Sequence, residues 1–484
     1  MHWRVYTTRG PLHPLWYPAM EFDPLLLSRI QFAFVVSFHA IFPVFTIGLA
    51  TYIALLEGIA YRTKDPEWAR LSQFWIKIFA VVFGMGVVSG LVMAFQFGTN
   101  WSEFSYRSAN FLGPVLAYEV VTAFFLEAAF LGVLLFGRNK VPPGVHLFAA
   151  IMVAVGTFIS SFWILSANSW MQTPAGFELR DGMVHVTSWL EAIFNPSFPY
   201  RFTHMAVASL LTGGFVVAGI SAWYLLRGHA VTASRRALKM TVIMLAVAAP
   251  AQMIIGDFHG LNTLEHQPAK VAAMEGAWET QKGLPLLLFA IPDQANETNH
   301  FEIGIPKLAS LILTHEWDGE VQGLKEWPAE ERPPVGIVFW SFRVMVAIGM
   351  LMIGVALWGA WLLYRRRLMD HPVFLRVLTL MIPLPFVAVL AGWFVTEVGR
   401  QPYVLYGVIT VQEGLTPSLT GGMALFTLIG YIVVYALVFT AGLYYLTRIV
   451  RKGMPEELEE QQDPQGRPKR PLSAADTPLD EPSA

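Results

Sequence analysis

Apolar residues run along this chain in long blocks rather than in short periodic stripes. Blocks near the roughly 20 residues needed to cross hydrocarbon occur nine times. They lie at approximately 30–60, 78–97, 111–136, 147–167, 205–226, 242–256, 335–363, 377–396 and 422–446. Each predicts a membrane-spanning helix, because a helix satisfies its own backbone polar groups where water is absent. The sixth block is short and carries Pro250, so pattern alone does not set its ends. The first block opens after Glu21-Phe-Asp-Pro, without a lysine-rich flank or a small-residue cleavage site. It reads as a retained span rather than a signal peptide. No internal repeat is evident.

The blocks divide the chain into an N-terminal extension (1–24), six spans (25–256), a long connection (257–334), three spans (335–450) and a tail (451–484). The connection, at about 80 residues, far exceeds ordinary loop lengths, which marks it as functional or as a small docked domain. The tail is rich in Pro, Glu, Asp and Lys with almost nothing apolar, and is expected to be disordered.

Composition agrees with the pattern. The chain has 484 residues, 55% hydrophobic and only 14% charged, where soluble domains carry about 25% charged residues. Mean hydropathy is +0.49 over the whole length. The expected fold class is therefore an all-α, polytopic integral membrane protein. A net charge of −2 leaves no basic field that would suggest nucleic acid as a partner. The absence of cysteine excludes disulfides, iron–sulfur clusters, thiolate-ligated haem, CxxCH haem attachment and cysteine zinc sites. Any metal must be held by His, Met, Asp or Glu.

Lysine and arginine predict the orientation. One set of alternate connections (61–77, 137–146, 226–241, 364–376, 447–452) holds 17 of them in 62 positions, and the other set holds 12 in 181. The positive-inside rule puts the first set in the cytoplasm. The N-terminus and the 257–334 connection are then outside and the C-terminus is inside.

Titratable groups within spans are costly and are functional candidates by default. They are His39 and Glu57 in span 1, Glu119 and Glu127 in span 3, His204 opening span 5, Arg343 in span 7 and Glu397 closing span 8. With this orientation His39, Glu119, His204, Arg343, Met345 and Glu397 fall in the outer half. In a regular helix Glu127 lies about 12 Å deeper than Glu119 and within roughly 80° of it around the axis. Glu57, near the inner boundary, reads as a snorkelling or interfacial group. Imidazole and thioether together can form the axial pair of a low-spin haem. A second histidine and a carboxylate could hold further haem iron, an arginine could pair with haem propionates, and a deeper carboxylate suits proton delivery. A lone intramembrane histidine also serves as a helix-to-helix hydrogen bond, and Met345 is one of 19 methionines. By themselves these residue types support a redox or proton-handling membrane protein and nothing finer.

Several strings go further. Ser28-Arg-Ile-Gln-Phe-Ala-Phe, followed by Phe38-His-Ala-Ile-Phe-Pro43, resembles the start of subunit I of the cytochrome bd-type quinol oxidases. Phe95-Gln-Phe-Gly-Thr-Asn-Trp101, Phe124-Phe-Leu-Glu127 and Trp163-Ile-Leu-Ser-Ala-Asn-Ser-Trp-Met-Gln172 are similar to the same family. So are Ala273-Met-Glu-Gly-Ala-Trp-Glu-Thr-Gln281, Ile291-Pro-Asp-Gln294 and Gly392-Trp-Phe through Gly399-Arg-Gln-Pro402. The resemblance covers about residues 25–450, in order.

The resemblance implies a catalytic subunit that oxidises a quinol, ubiquinol or menaquinol, and reduces dioxygen to water in a prokaryotic cytoplasmic (inner) membrane. It implies a low-spin haem b (b558 type) held by His204 and Met345, with Arg343 close by. It implies a high-spin haem b (b595 type) and a haem d, or a third haem b in its place, with His39 and Glu397 as ligands. Glu119 matches the acid beside the high-spin pair, Trp393 the aromatic between haems, and Arg400 lies in the same string as Glu397. Glu127 and Ser160 match a cytoplasmic proton route. Lys270 and Glu275, with Asp257 assisting, match the quinol-binding loop, here of the short-loop branch. A second hydrophobic subunit is implied, with room for a small accessory one. Two departures stand out: Ala94 and Leu390 occupy positions where part of the family has glutamate. The rival readings are a haem-bearing quinol electron relay that does not reduce oxygen, and a proton-coupled secondary transporter, which gives Met345 no role.

Overall fold

The computed structural model describes residues 22–454, so residues 1–21 of the N-terminal extension and 455–484 of the tail lie outside the described residues. Nine helices among the described residues are long and apolar enough to span a membrane. Spans 1 and 2 are Pro24–Thr63 and Pro66–Ala94. Span 3 is built of Ser102–Glu119, a π-helical turn Val120–Phe124, and Phe125–Phe136. Spans 4, 5 and 6 are Pro143–Gln172, Phe198–Leu226 and Val231–His266. Span 7 is Val335–Tyr364, span 8 combines Pro372–Leu380 with Leu384–Val398, and span 9 is Gly421–Lys452. The break in span 8 falls at Pro383, which has no N–H to continue the helix.

Most ends carry local signals. Asp23 and Asp65 cap spans 1 and 2 through their carboxylates, each with proline at the first helical position. Span 9 opens under Thr420 and closes with Arg451 and Lys452 in its last turn. One boundary differs from expectation. Span 6 does not stop at residue 256 but stays helical through Pro250 and on to His266. Ten residues of the expected connection therefore belong to a helix. The apolar window ends there because Asp257 and His259 enter, yet helical backbone bonding is as good beyond hydrocarbon as within it. The remaining connection holds a short helix, Pro268–Glu275, and an antiparallel hairpin of Leu286–Asp293 with Thr298–Ile305. The all-α character thus describes the spans, while small ribbons occur in the connections.

Span 1 packs against spans 2, 4, 5 and 9, and span 5 against spans 1, 6 and 8. These two are the most enclosed of the nine. Their crossing is a backbone-to-backbone contact. A Cβ added to Gly48 would lie 2.1 Å from the Ser209 carbonyl oxygen, and one added to Gly213 would lie 2.8 Å from the Gly48 carbonyl carbon. Small residues at such spacing are what allow membrane helices to approach so closely, since lipid offers no hydrophobic drive to helix association. Nearer the start of the two spans, Gln31 donates to Asn100 (3.1 Å), Asn100 to Ser28 (3.0 Å) and Thr427 to Gln31 (2.8 Å), which joins spans 1 and 9 to the end of span 2.

Gly213→Val should lower the thermal unfolding midpoint of the detergent-extracted protein, because overpacking typically costs about 1–3 kcal/mol. Gly84→Ala, where an added Cβ meets nothing within 4 Å, should leave the midpoint unchanged.

Candidate functional site

At the end where spans 4 and 8 close and span 5 opens, one carboxylate is surrounded by donors. Glu397 Oε1 accepts from Asn168 Nδ2 (2.9 Å) and Gln172 Nε2 (3.3 Å), and Oε2 accepts from Arg400 Nη2 (2.5 Å). Asn168 and Gln172 are four residues apart and so share a face of span 4. A carboxylate offers about four lone-pair sites, so Oε2 retains one. Lys270, on the short helix Pro268–Glu275 between spans 6 and 7, is 2% exposed. It donates to Gln172 Oε1 (2.7 Å) and to the Thr396 carbonyl (3.1 Å). Burial pushes its ammonium well below the ordinary lysine range; the charges of Arg201 and Arg400 add to this and Glu397 opposes it. Arg201, Lys270 and Arg400 are all buried near this one carboxylate. Arg400 leaves both Nε and Nη1 without a hydrogen-bond partner.

Glu275 ends the same short helix but points elsewhere. Its Oε2 accepts from Arg343 Nη2 (2.8 Å), and Arg343 also donates to the Leu287 carbonyl and lies over the Phe339 ring (4.6 Å). Burial pushes the Glu275 carboxyl up, and the Arg343 pair opposes this. Lys270 therefore faces spans 4 and 8 and Glu275 faces span 7, rather than the two sharing one open surface. Asp257 is exposed on span 6, and its side chain forms no hydrogen bond or ion pair among the described residues.

Span 6 instead supplies a residue that sequence reasoning missed. The His259 ring packs edge-on to His204 with centroids 5.4 Å apart. The i+3/i+4 spacing of Gly256, His259 and Thr263 was the available signal, hidden by the assignment of this stretch to a loop. His204 Nδ1 is buried without a hydrogen-bond partner. Met345 lies on span 7 against span 8, its sulfur 3.1 Å from where a Cβ on Gly392 would sit. Trp393, half-buried, follows Gly392 one turn before Glu397.

His39 is oriented by span 2. Its Nδ1 lies 2.9 Å from Ser89 Oγ, and that hydroxyl donates to the Gly86 carbonyl (3.0 Å). With Nδ1 held by Ser89, Nε2 has no hydrogen-bond partner among the described residues; the tautomer with hydrogen on Nδ1 would leave its lone pair free, the arrangement a metal-ligating imidazole requires.

Span 3 is not a regular helix between its carboxylates. The π turn Val120–Phe124 adds one residue to a turn, so eight residues act as seven, close to two full turns. Glu119 and Glu127 consequently face the same strip of span 4 rather than lying about 80° apart. Ser160 donates to Glu119 Oε1 (2.7 Å). One turn away, a Cβ on Gly156 would fall 2.6 Å from Glu127 Cγ, so the glycine makes room for that side chain. Glu127 is buried and its Oε1 has no partner.

Glu57 also departs from expectation. It does not snorkel but is buried among Ser72, Arg138 and His146, with His146 Nδ1 3.1 Å away and His146 Nε2 against the Leu134 carbonyl (3.1 Å). Four segments meet at this carboxylate, which removes any need for it to reach the interface.

These residues fit haem as the implied cofactor. They offer an imidazole with its Nε2 free, a second imidazole with an unpartnered nitrogen, a thioether, and a carboxylate with a spare lone pair. Three buried cations around one carboxylate, with two orphaned guanidinium N–H groups, match an anionic group such as a propionate. The sequence profile described as cytochrome bd terminal oxidase subunit I matches residues 27–454. The chain belongs to this family. It is 36% identical to cytochrome bd ubiquinol oxidase subunit 1 of Bacillus subtilis (strain 168) over 89% of this chain and 94% of that protein. It is 32% identical to cytochrome bd-II ubiquinol oxidase subunit 1 of Escherichia coli (strain K12), covering 92% of this chain and 99% of the relative. The fold superimposes on the bd oxidase of Geobacillus thermodenitrificans with a TM-score of 0.83 at 31% identity, over 90% of this chain and 99% of that one. The protein is thus a multi-pass, haem-bearing terminal oxidase subunit of the bacterial cytoplasmic membrane, and the transporter reading falls.

Gly156→Ala should displace the Glu127 side chain and lower oxygen-reduction turnover of the extracted oxidase. Gly132→Ala, with nothing within 4 Å of the added Cβ, should leave turnover unchanged.

Proposed function

We propose that this subunit couples oxidation of ubiquinol or menaquinol at the outer surface to four-electron reduction of dioxygen to water. The N-terminus and the 257–334 connection are outside, the C-terminus is cytoplasmic, and charge is separated by uptake of protons from the cytoplasm without a pump. The observation that carries the reading is the cluster at Glu397: a carboxylate with a spare lone pair, beside a buried arginine with two free N–H groups, in a chain of the terminal oxidase family.

His204 and Met345 hold a low-spin haem b of the b558 type, with Arg343 nearby. His39 and Glu397 hold the high-spin groups, a haem b of the b595 type and a haem d or third haem b. When bound, these groups would supply one-electron transfer and the chemistry of dioxygen reduction. The protein does the rest. Lys270 and Glu275 fix the inner wall of the quinol site through the short helix that carries both. Arg201, Arg400 and Lys270 balance anionic substituents in a dry setting, where such charges interact strongly. Trp393, one turn before Glu397, is the aromatic that would lie between haems. Ser160 holds Glu119 by its hydroxyl, and Glu127, its Oε1 unclaimed, takes and releases the proton on the cytoplasmic side of Glu119. A second hydrophobic subunit, with a small accessory one, completes the oxidase within the lipid bilayer.

Reduced-minus-oxidised spectra, with and without carbon monoxide, test the haem assignment. His204→Ala should abolish the low-spin signal, since methyl cannot replace a ligating imidazole, and Met345→Leu should lose or shift it while the fold survives. Retention of the parental low-spin signal in both variants would remove these residues from the site.

A separate measurement tests the proton role. Glu127→Gln is nearly isosteric but cannot exchange a proton as an acid. It should keep normal haem content and normal reduction by quinol, while stopped-flow oxidation of the reduced enzyme by oxygen slows by about 10²-fold or more, as expected for loss of general acid–base transfer. Parental turnover and proton uptake would exclude Glu127 from the route.

A further inference from the structure

The polar contacts at the end of span 4 converge on a glutamine to which no role has been given. Gln172 is fully buried. Its Oε1 accepts from Lys270 Nζ (2.7 Å), while its Nε2 donates to Glu397 Oε1 and to the Thr396 carbonyl (3.3 Å each). Its backbone carbonyl accepts from Gln267 Nε2 (2.9 Å), one residue before the short external helix. The orientation of the amide is forced. Turned over, it would set NH2 against the lysine ammonium and its oxygen against a carboxylate, so one arrangement alone satisfies both neighbours. Gly399 completes the fit, because a Cβ there would lie 2.8 Å from Lys270 Cγ. One side chain thus links three elements: the end of span 4, the external helix and the end of span 8.

We infer that Gln172 is a positioning residue that sets the donor character and direction of the Glu397 carboxylate and, through Lys270, ties the external connection to it. Hydrogen bonds to a ligating carboxylate tune its basicity and hold its orientation. Here the bond comes from a group whose other end is held by the connection that faces quinol. Displacement of the external helix therefore reaches Glu397 through two hydrogen bonds and no change of fold. Asn168 makes a separate bond to the same carboxylate oxygen (2.9 Å) but does not touch Lys270, so the two amides have separable effects.

This inference rests on the reading of Glu397 as a haem ligand, and the experiment keeps the two apart. In the purified holoenzyme, Gln172→Met should shift the high-spin absorption and its midpoint potential and leave the low-spin signal in place. It should also raise the apparent quinol KM about tenfold, the scale of one lost hydrogen bond to a charged group. Asn168→Leu should shift the high-spin spectrum with parental KM. Combining Gln172→Met with Lys270→Met should raise KM no further than the worse single change, because both cut one linkage. Should Gln172→Met fail to assemble, Gln172→Glu keeps the acceptor for Lys270 and loses the donor to Glu397, so it should shift the spectrum at near-parental KM. A parental high-spin spectrum in both Gln172 variants, or additive KM effects in the double variant, overturns the inference. If Glu397→Ala itself retains the high-spin signal, the ligand reading fails and the inference with it; if that signal is lost while Gln172→Met stays parental, only the inference fails.

Discussion

A polar atom left without a partner in hydrocarbon costs several kcal/mol, and the arrangement of this protein follows from meeting that constraint. Span 4 meets most of it. Along one helix it presents His146 to Glu57, Ser160 to Glu119, and Asn168 and Gln172 to Glu397. Carboxylates from spans 1, 3 and 8 are thereby held by one element. Glu127 is the exception: span 4 gives it the space over Gly156 and no hydrogen bond. A carboxylate lodged in this way is free to change its protonation without breaking a contact.

The same constraint explains where the helices depart from regularity. Helices packed in lipid gain little from apolar burial against one another, so position is set by close approach and by polar contacts. Gly48, Ser209 and Gly213 bring spans 1 and 5 together at backbone distance, which fixes the two spans that carry His39 and His204. The π turn in span 3 brings Glu119 and Glu127 onto one face, and the break at Pro383 separates the packing of the two halves of span 8. The half ending at Val398 is then free to pack on span 7, next to Met345.

The connection between spans 6 and 7 is attached to the membrane domain by charge as well as by chain. Its short helix points Lys270 at the end of spans 4 and 8 and Glu275 at span 7, both buried. Each charge is committed to an element inside the domain. The connection and the ends of spans 4 and 8 are thus one connected structure, joined by the Lys270–Gln172–Glu397 chain and by the Lys270 bond to the Thr396 carbonyl.

The sequence by itself determined the nine spans, because a run of about 20 apolar residues has no other stable place than the bilayer. It also determined which side chains were costly there, since a lone His39, Glu119 or Glu397 in such a run is conspicuous, and the family strings identified their neighbours. The tertiary structure decided the rest. Polar patterning could not reveal that span 6 runs to His266 and brings His259 to His204, because helical backbone bonding does not end where hydropathy does. Nor could it reveal the π turn, which changes the face on which Glu127 lies without changing any residue. Lys270 and Glu397 meet at Gln172 although 98 and 225 positions respectively separate them from it. Neutral amides carry no charge to mark them as exceptional in a sequence, and their partners are set by which helices pack together rather than by spacing along the chain.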